Sequence, residues 1–163
     1  SHRCSDQLVM VQTGHWIVIF RKGKVLVPTM ARTEAGFYLG VEPVDVLDVT
    51  DLEGVEAAIV AAVEKGNPRV PTPRRDEYKG DVLLKHAGVK SLSTFERLAR
   101  TWNLSKHDGA FQISPSRPGK YGGAEEDLDR QESIPDTAPL TDVARRLVYR
   151  ALNEPADMQG YTE

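Results

Sequence analysis

The four histidines of this 163-residue chain, His2, His15, His86 and His107, are the side chains best suited to moving protons near neutral pH. None stands at a helical ligand interval from a second histidine or a cysteine, as the histidines of H-E-x-x-H do, so the spacing predicts no metal centre. His15 beside Trp16 and His107 beside Asp108 become general bases only if the fold brings each a partner. The single cysteine, Cys4, lies near the start, and no G-x-S-x-G is present, so nucleophilic hydrolysis has no local signature. Walker and dinucleotide glycine spacings are absent, and Gly119-Lys120-Tyr121-Gly122-Gly123 reads as a loop with an incidental lysine. The expectation is a protein without catalytic residues or cofactor.

Charge is more informative. Glu125, Glu126, Asp127, Asp129, Glu132 and Asp136 gather in a stretch interrupted only by Arg130, which predicts a strongly negative local field. A surface of that kind steers a basic protein partner and raises its association rate. Glu125, Glu126, Asp127, Asp129 and Glu132 are therefore the candidate partner-binding residues, with Tyr121 as the aromatic anchor. A second acidic set, Glu42, Asp45, Asp48, Asp51, Glu53 and Glu56, runs into a helix start, where dipole and capping account for it equally well. Arg69, Arg74, Arg75 and Lys79, with Tyr78, form the one basic and aromatic loop; Asp76 and Glu77 dilute its field and make a solvated loop the simpler reading.

A net charge of -3 and a pI near 5.8 give no global attraction to nucleic acid or to an anionic membrane. The longest apolar runs, such as Trp16–Phe20 and Ala57–Val63, fall short of the roughly 20 residues a membrane helix needs. The lone cysteine suits a reducing compartment, and Ser1-His2-Arg3 does not open a signal peptide, so a cytoplasmic location is expected. The length suits one domain over 1–163, with a flexible start at 1–7, a mobile acidic loop at 115–139 and a tail at 153–163.

The elements that must position these residues follow from periodicity. Trp16–Phe20 is apolar on both alternating faces, which predicts a central strand; Lys22-Gly23 turns it into a hairpin whose return ends at Pro28. Gly36–Val49 is a third extended segment with an irregularity at Pro43, between Val41 and Val44. Thr50 to Glu53 has capping-box spacing, and Leu52, Val55, Ile59 and Val63 form the apolar stripe of a helix closed by Lys65-Gly66. Val82–Leu84 suggests a short strand, and Ser93 to Glu96 a second capping box for a helix presenting Phe95, Leu98, Ala99 and Trp102. Leu104, Asp108-Gly109, Phe111 and Ile113 describe a second hairpin with one buried face. Thr141 starts a last helix with Val143, Leu147 and Leu152 inward and Arg145, Arg146 and Arg150 outward. The sum is an α+β fold: a mainly antiparallel sheet, an N-terminal meander plus a later hairpin, packed with about three helices.

The run Trp16-Ile17-Val18-Ile19-Phe20-Arg21-Lys22-Gly23-Lys24, with Thr33-Glu34-Ala35-Gly36-Phe37-Tyr38 and Val41-Glu42-Pro43-Val44, resembles immunity proteins of bacterial contact-dependent growth inhibition (CDI) systems. Gly66-Asn67-Pro68, Val70-Pro71-Thr72-Pro73 and Gly88-Val89-Lys90-Ser91 extend the likeness, which spans about Val11 to Leu152. The resemblance implies a cytoplasmic inhibitor that binds the C-terminal toxin domain delivered by a neighbouring cell, commonly a nuclease, and blocks its active site. It carries over no catalytic residue. Two alternatives stay open at this level: a small hydrolytic enzyme built on His15 or His107, and a weak nucleic-acid-binding module around Arg69 to Lys79.

Overall fold

In the computed structural model, which describes residues 12–74, 82–119 and 124–154, Lys22 and Gly23 take φ of 51° and 76°. Two successive positive values are what a type I′ hairpin turn requires. The turn joins β1 (Gln12–Arg21) to β2 (Lys24–Thr33). These strands pair only from Arg21↔Lys24 to Ile19↔Leu26. β1 otherwise pairs along its whole length with β5 (Ala99–His107).

Pro28 does not end the returning strand as expected; β2 continues to Thr33. The physical reason is that β2 has left β1 by that point, so a residue without an N–H sits where one ladder has already lapsed. On its other side β2 pairs with β3 (Tyr38–Asp48), and the partners jump from Pro28↔Val44 to Thr29↔Val41. Glu42 and Pro43 are thus the bulge predicted between the two valines, and Thr29 Oγ1 donates to the Pro43 carbonyl at 2.9 Å.

α1 (Leu52–Lys65) starts one residue later than the capping-box reading placed it. Asp51 Oδ1 accepts the Gly54 N–H at 3.1 Å, while the Thr50 hydroxyl donates to Asp48 Oδ1 at 2.8 Å. Its inward face is Val55, Ala58, Ile59 and Ala62; Leu52 is exposed. Gly66, at φ 79°, ends the helix and leads into β4 (Arg69–Val70), which runs parallel to β2.

Three residues of apolar run at 82–84 form a helix, α2 (Val82–Ala87), rather than a strand, and only Leu83 is buried. α3 (Leu92–Leu98) is capped by Ser91, whose hydroxyl accepts the Thr94 N–H at 3.2 Å, and it stops before Trp102. Ala99 and Trp102 belong instead to β5, because alternation of Trp102 with Leu104 on one strand face outweighs the helical spacing from Phe95, and Ala99 packs on the other face. Asp108-Gly109 then turns β5 into β6 (Ala110–Pro118).

The expected loop at 115–139 contains structure: the end of β6, then β7 (Ala124–Glu126), a 3-10 turn (Leu128–Arg130) and β8 (Glu132–Pro135). Both short strands pair with β6. The chain closes with α4 (Leu140–Asn153). Pro139 precedes its first turn without a side-chain cap, so Thr141 is not the cap.

The sheet order is β3-β2-β1-β5-β6-β7, with β4 on β2 and β8 on β6. One face carries Trp16, Val18, Phe20, Trp102, Leu104 and Ile113 under α1 and α4; the other carries Ile19, Leu26 and Val44 under α2 and α3. Burial on both sides is why Trp16–Phe20 lacks alternation and why β1 is central. No helix among the described residues is long and apolar enough to cross a membrane.

Candidate functional site

Two polar groupings on the β1–β5–β6 part of the sheet take up most of the chemistry-bearing residues. The first lies at the Pro118 end of β6, where β7 and the 3-10 turn present the acidic stretch. Few apolar side chains are available there, and arginines tie it down instead. Arg117 Nε donates to Glu125 Oε1 at 3.3 Å, and Arg117 Nη1 to Asp127 Oδ1 at 3.4 Å. Asp127 is buried at 7 % exposure, with Arg130 Nη1 3.9 Å from its other oxygen. Glu132 accepts from Arg146 Nε at 3.0 Å and from Arg150 Nη1 at 3.4 Å. Glu126 is half-buried and accepts from the Ser114 hydroxyl at 2.8 Å.

The uniformly negative field expected from the sequence is therefore largely compensated. Arg117 and Arg130 on the same segment, and Arg146 and Arg150 from α4, converge on carboxylates that look unpaired in sequence. Among the candidate residues, Asp127, Glu126 and Glu132 are engaged within the protein. Glu125 and Asp129 also lie within 4.0 Å of Arg117 but are the most solvent-exposed of the set, with side chains 49 % and 92 % exposed. Tyr121 lies outside the described residues. A readable signal for the compensation was the i,i+4 spacing of Arg146 and Arg150, which puts both on one helix face.

Arg150 departs most from expectation. It points inward, 8 % exposed, with its guanidinium 4.9 Å from the Trp102 ring centre. Leu152, expected inward, is exposed, and Ala144, Val148 and Ala151 take the inward positions with Val143 and Leu147. A planar cation with a long stem can cover an aromatic face and still reach carboxylates at the surface.

The second grouping lies on the opposite sheet face. His15 is the cross-strand partner of Ser105, and Ser105 Oγ lies 3.1 Å from His107 Nε2. Asn103 Nδ2 donates to the Ser114 carbonyl at 3.2 Å and to Ser116 Oγ at 2.8 Å, so the hairpin, expected to bury one face, buries its polar face as well. The His15 ring stacks at a tilt on Tyr38, 5.4 Å between centres. The Nδ1 atoms of His15 and His107 are buried and make no hydrogen bond. Burial pulls the His15 pKa below its ordinary 6.5, partly opposed by the Glu126 carboxylate and assisted by His107.

Serine, histidine and carboxylate thus meet here, but not as a nucleophilic relay. Ser105 is 1 % exposed, and Glu126 takes its hydrogen bond from Ser114 and from neither histidine. Among the described residues no group of three His, Cys, Asp or Glu side chains is placed to hold a metal ion. The grouping has a pH consequence instead. An imidazole with a depressed folded pKa adds stability that is complete above pH 6.5 and is lost as pH falls through the folded value. Urea unfolding at a series of pH values should show that loss, and His15→Phe, which keeps a ring against Tyr38, should flatten it; an equal slope in the variant would assign the effect elsewhere.

The basic loop is only partly described. Arg69 stands exposed on β4, and Arg75, Tyr78 and Lys79 lie outside the described residues. His86 is held at the surface by Glu42, 3.0 Å from Nε2 to Oε1.

This α+β architecture is shared with solved structures. A protein of unknown function from Neisseria meningitidis superposes with a TM-score of 0.58 at 13 % identity, over 88 % of this chain and 99 % of that one. A chain of the CdiA-CT/CdiI toxin and immunity complex from Yersinia pseudotuberculosis superposes with a TM-score of 0.55 at 15 % identity, over 86 % of this chain and 98 % of that one. No protein-family model matches the sequence, and no curated protein matches it.

Proposed function

We propose that this protein is a CDI-type immunity protein: it binds a cognate toxin domain and neutralises it by covering the active site, with no chemistry of its own. The observation that carries this reading is the fold shared, nearly end to end, with a chain of a CdiA-CT/CdiI toxin and immunity complex. The toxin is a basic domain, a nuclease as the resemblance to CDI immunity proteins implies, and the complex forms in the cytoplasm. The rim formed by β7 and the 3-10 turn supports the reading because Glu125 and Asp129, both within 4.0 Å of Arg117, keep 49 % and 92 % of their side chains in solvent, while Asp127 beside them is buried. A fixed acidic rim of this kind acts on encounter more than on residence time. The hydrolytic alternative has less support, since the serine nearest a histidine is sealed from substrate.

Purification of the protein from its source cell, with identification of what comes with it, tests the reading. A stoichiometric basic protein that is toxic when expressed alone is the expected result; a protein that elutes without a partner and gives no protection would overturn it. Given the toxin, reversing Glu125 and Asp129 to lysine should slow association about tenfold at low salt and leave dissociation nearly unchanged. Stopped-flow mixing at two salt concentrations measures both; an unchanged association rate would remove this rim from the encounter.

A further inference from the structure

Arg32 and Arg69 are direct partners in the parallel β2–β4 ladder. Like charges placed opposite one another across a ladder repel. Neither has an ion pair among the described residues, and neither has Lys106. All three line a cleft of about 520 Å³, whose walls also include Asp136, Trp16 and Phe111. Two of the cations are fixed by aromatic faces: the Arg32 guanidinium lies 5.9 Å from the Tyr38 ring centre, and the Lys106 ammonium 5.6 Å from that of Phe111. The cleft opens beside the Ala110 end of β6, roughly 26 Å of strand away from the acidic rim at Pro118.

We propose that this cleft binds a phosphate dianion, carried by a small molecule. Three cations and one carboxylate leave a charge of two to be neutralised, which a phosphate monoester matches and a single carboxylate does not. The volume is that of a small-molecule site rather than of an ion-sized cradle. Asp136 inside the cleft and the net charge of -3 disfavour a continuous polyanion such as RNA.

The test is titration of the full chain with inorganic phosphate, AMP and, as a monoanion control at matched ionic strength, acetate. Tryptophan fluorescence reports on Trp16 in the cleft wall, and thermal melting gives a second readout. Saturable binding of phosphate or AMP, at least tenfold weaker in Arg69→Gln and in Arg32→Gln, is the expected result. AMP tighter than phosphate would support an organic phosphate as the natural ligand; phosphate as tight as AMP or tighter would overturn the small-molecule carrier. Arg69 is exposed on a two-residue strand, so its variant should fold, which circular dichroism checks. No saturable change with either probe, an equal response to acetate, or full affinity in Arg69→Gln would overturn the proposal.

Discussion

Replacing Arg150 by alanine is expected to lower the unfolding free energy by about 3 kcal/mol, the scale on which an ion pair withdrawn from water fails when one partner is removed. Arg150 Nε donates to Glu154 Oε2 at 2.6 Å, Nη2 to the Arg130 carbonyl at 3.0 Å and Nη1 to Glu132 Oε1 at 3.4 Å. The same guanidinium covers Trp102, the largest fully buried side chain in the core. Alanine would therefore open the Trp102 face and strand acceptors that α4 and the 3-10 turn now share. Lysine should recover less than half of the loss, because an ammonium can neither stack flat nor serve three acceptors in a fixed plane. Urea denaturation with an unchanged m-value is the measurement. A loss below ~1 kcal/mol would mean that Arg130 and Arg146 suffice to hold the segment.

The acid limb of stability should change in the same variant. Burial pushes the Glu154 carboxyl up, but hydrogen bonds and charge from Arg150 and Arg130 outweigh it and hold the pKa below its ordinary 4.5. A depressed carboxylate adds stability that is present above the unfolded value and is lost as pH falls through the folded one. Arg150→Ala should therefore have a shallower decline below pH 4.5 than the parent protein.

The second large effect is expected at Asn67, whose substitution by alanine should cost about 3 kcal/mol through unmade hydrogen bonds. Its side chain stands where β1 and β2 part. Oδ1 accepts the His15 N–H at 3.3 Å, and Nδ2 donates to the His15 and Met30 carbonyls, both at 2.9 Å. One amide thus replaces the ladder that the strands give up beyond Leu26, and no apolar side chain can do so. Aspartate should be no better than alanine, because it would set a carboxylate against two carbonyls. Hydrogen exchange of the β1 amides, compared with urea midpoints, would show local opening near His15 before global unfolding. A penalty under ~0.5 kcal/mol would show that water satisfies these groups.

Much of the fold was legible because it is locally encoded. Gly23 and Gly109 turn the two hairpins, with φ of 76° and 81°, and both are the turn glycines seen in the sequence. Pro43 marks its bulge, and the central place of β1 follows from five consecutive apolar residues. The errors share one cause. Trp102 lies three residues from Ala99 at helical spacing and two from Leu104 at strand spacing, and only pairing with Val18 selects the strand. Val82–Leu84 is too short for either period to declare itself. The capping boxes were found to within two residues, since several hydroxyls and carboxylates compete for one N–H.

The sequence by itself determined the turns, the bulge, the doubly covered strand, the α+β class and the lack of any catalytic motif, because each depends on residues within a few positions of one another. Only the tertiary structure decided what the charges mean. Glu132 reads as part of an open acidic loop until α4 brings Arg146 and Arg150 to it from 14 and 18 residues away. Arg32 and Arg69 read as unrelated until a parallel ladder sets them side by side. A charge acts through whatever lies within a few ångströms of it, and that neighbourhood is assembled by packing.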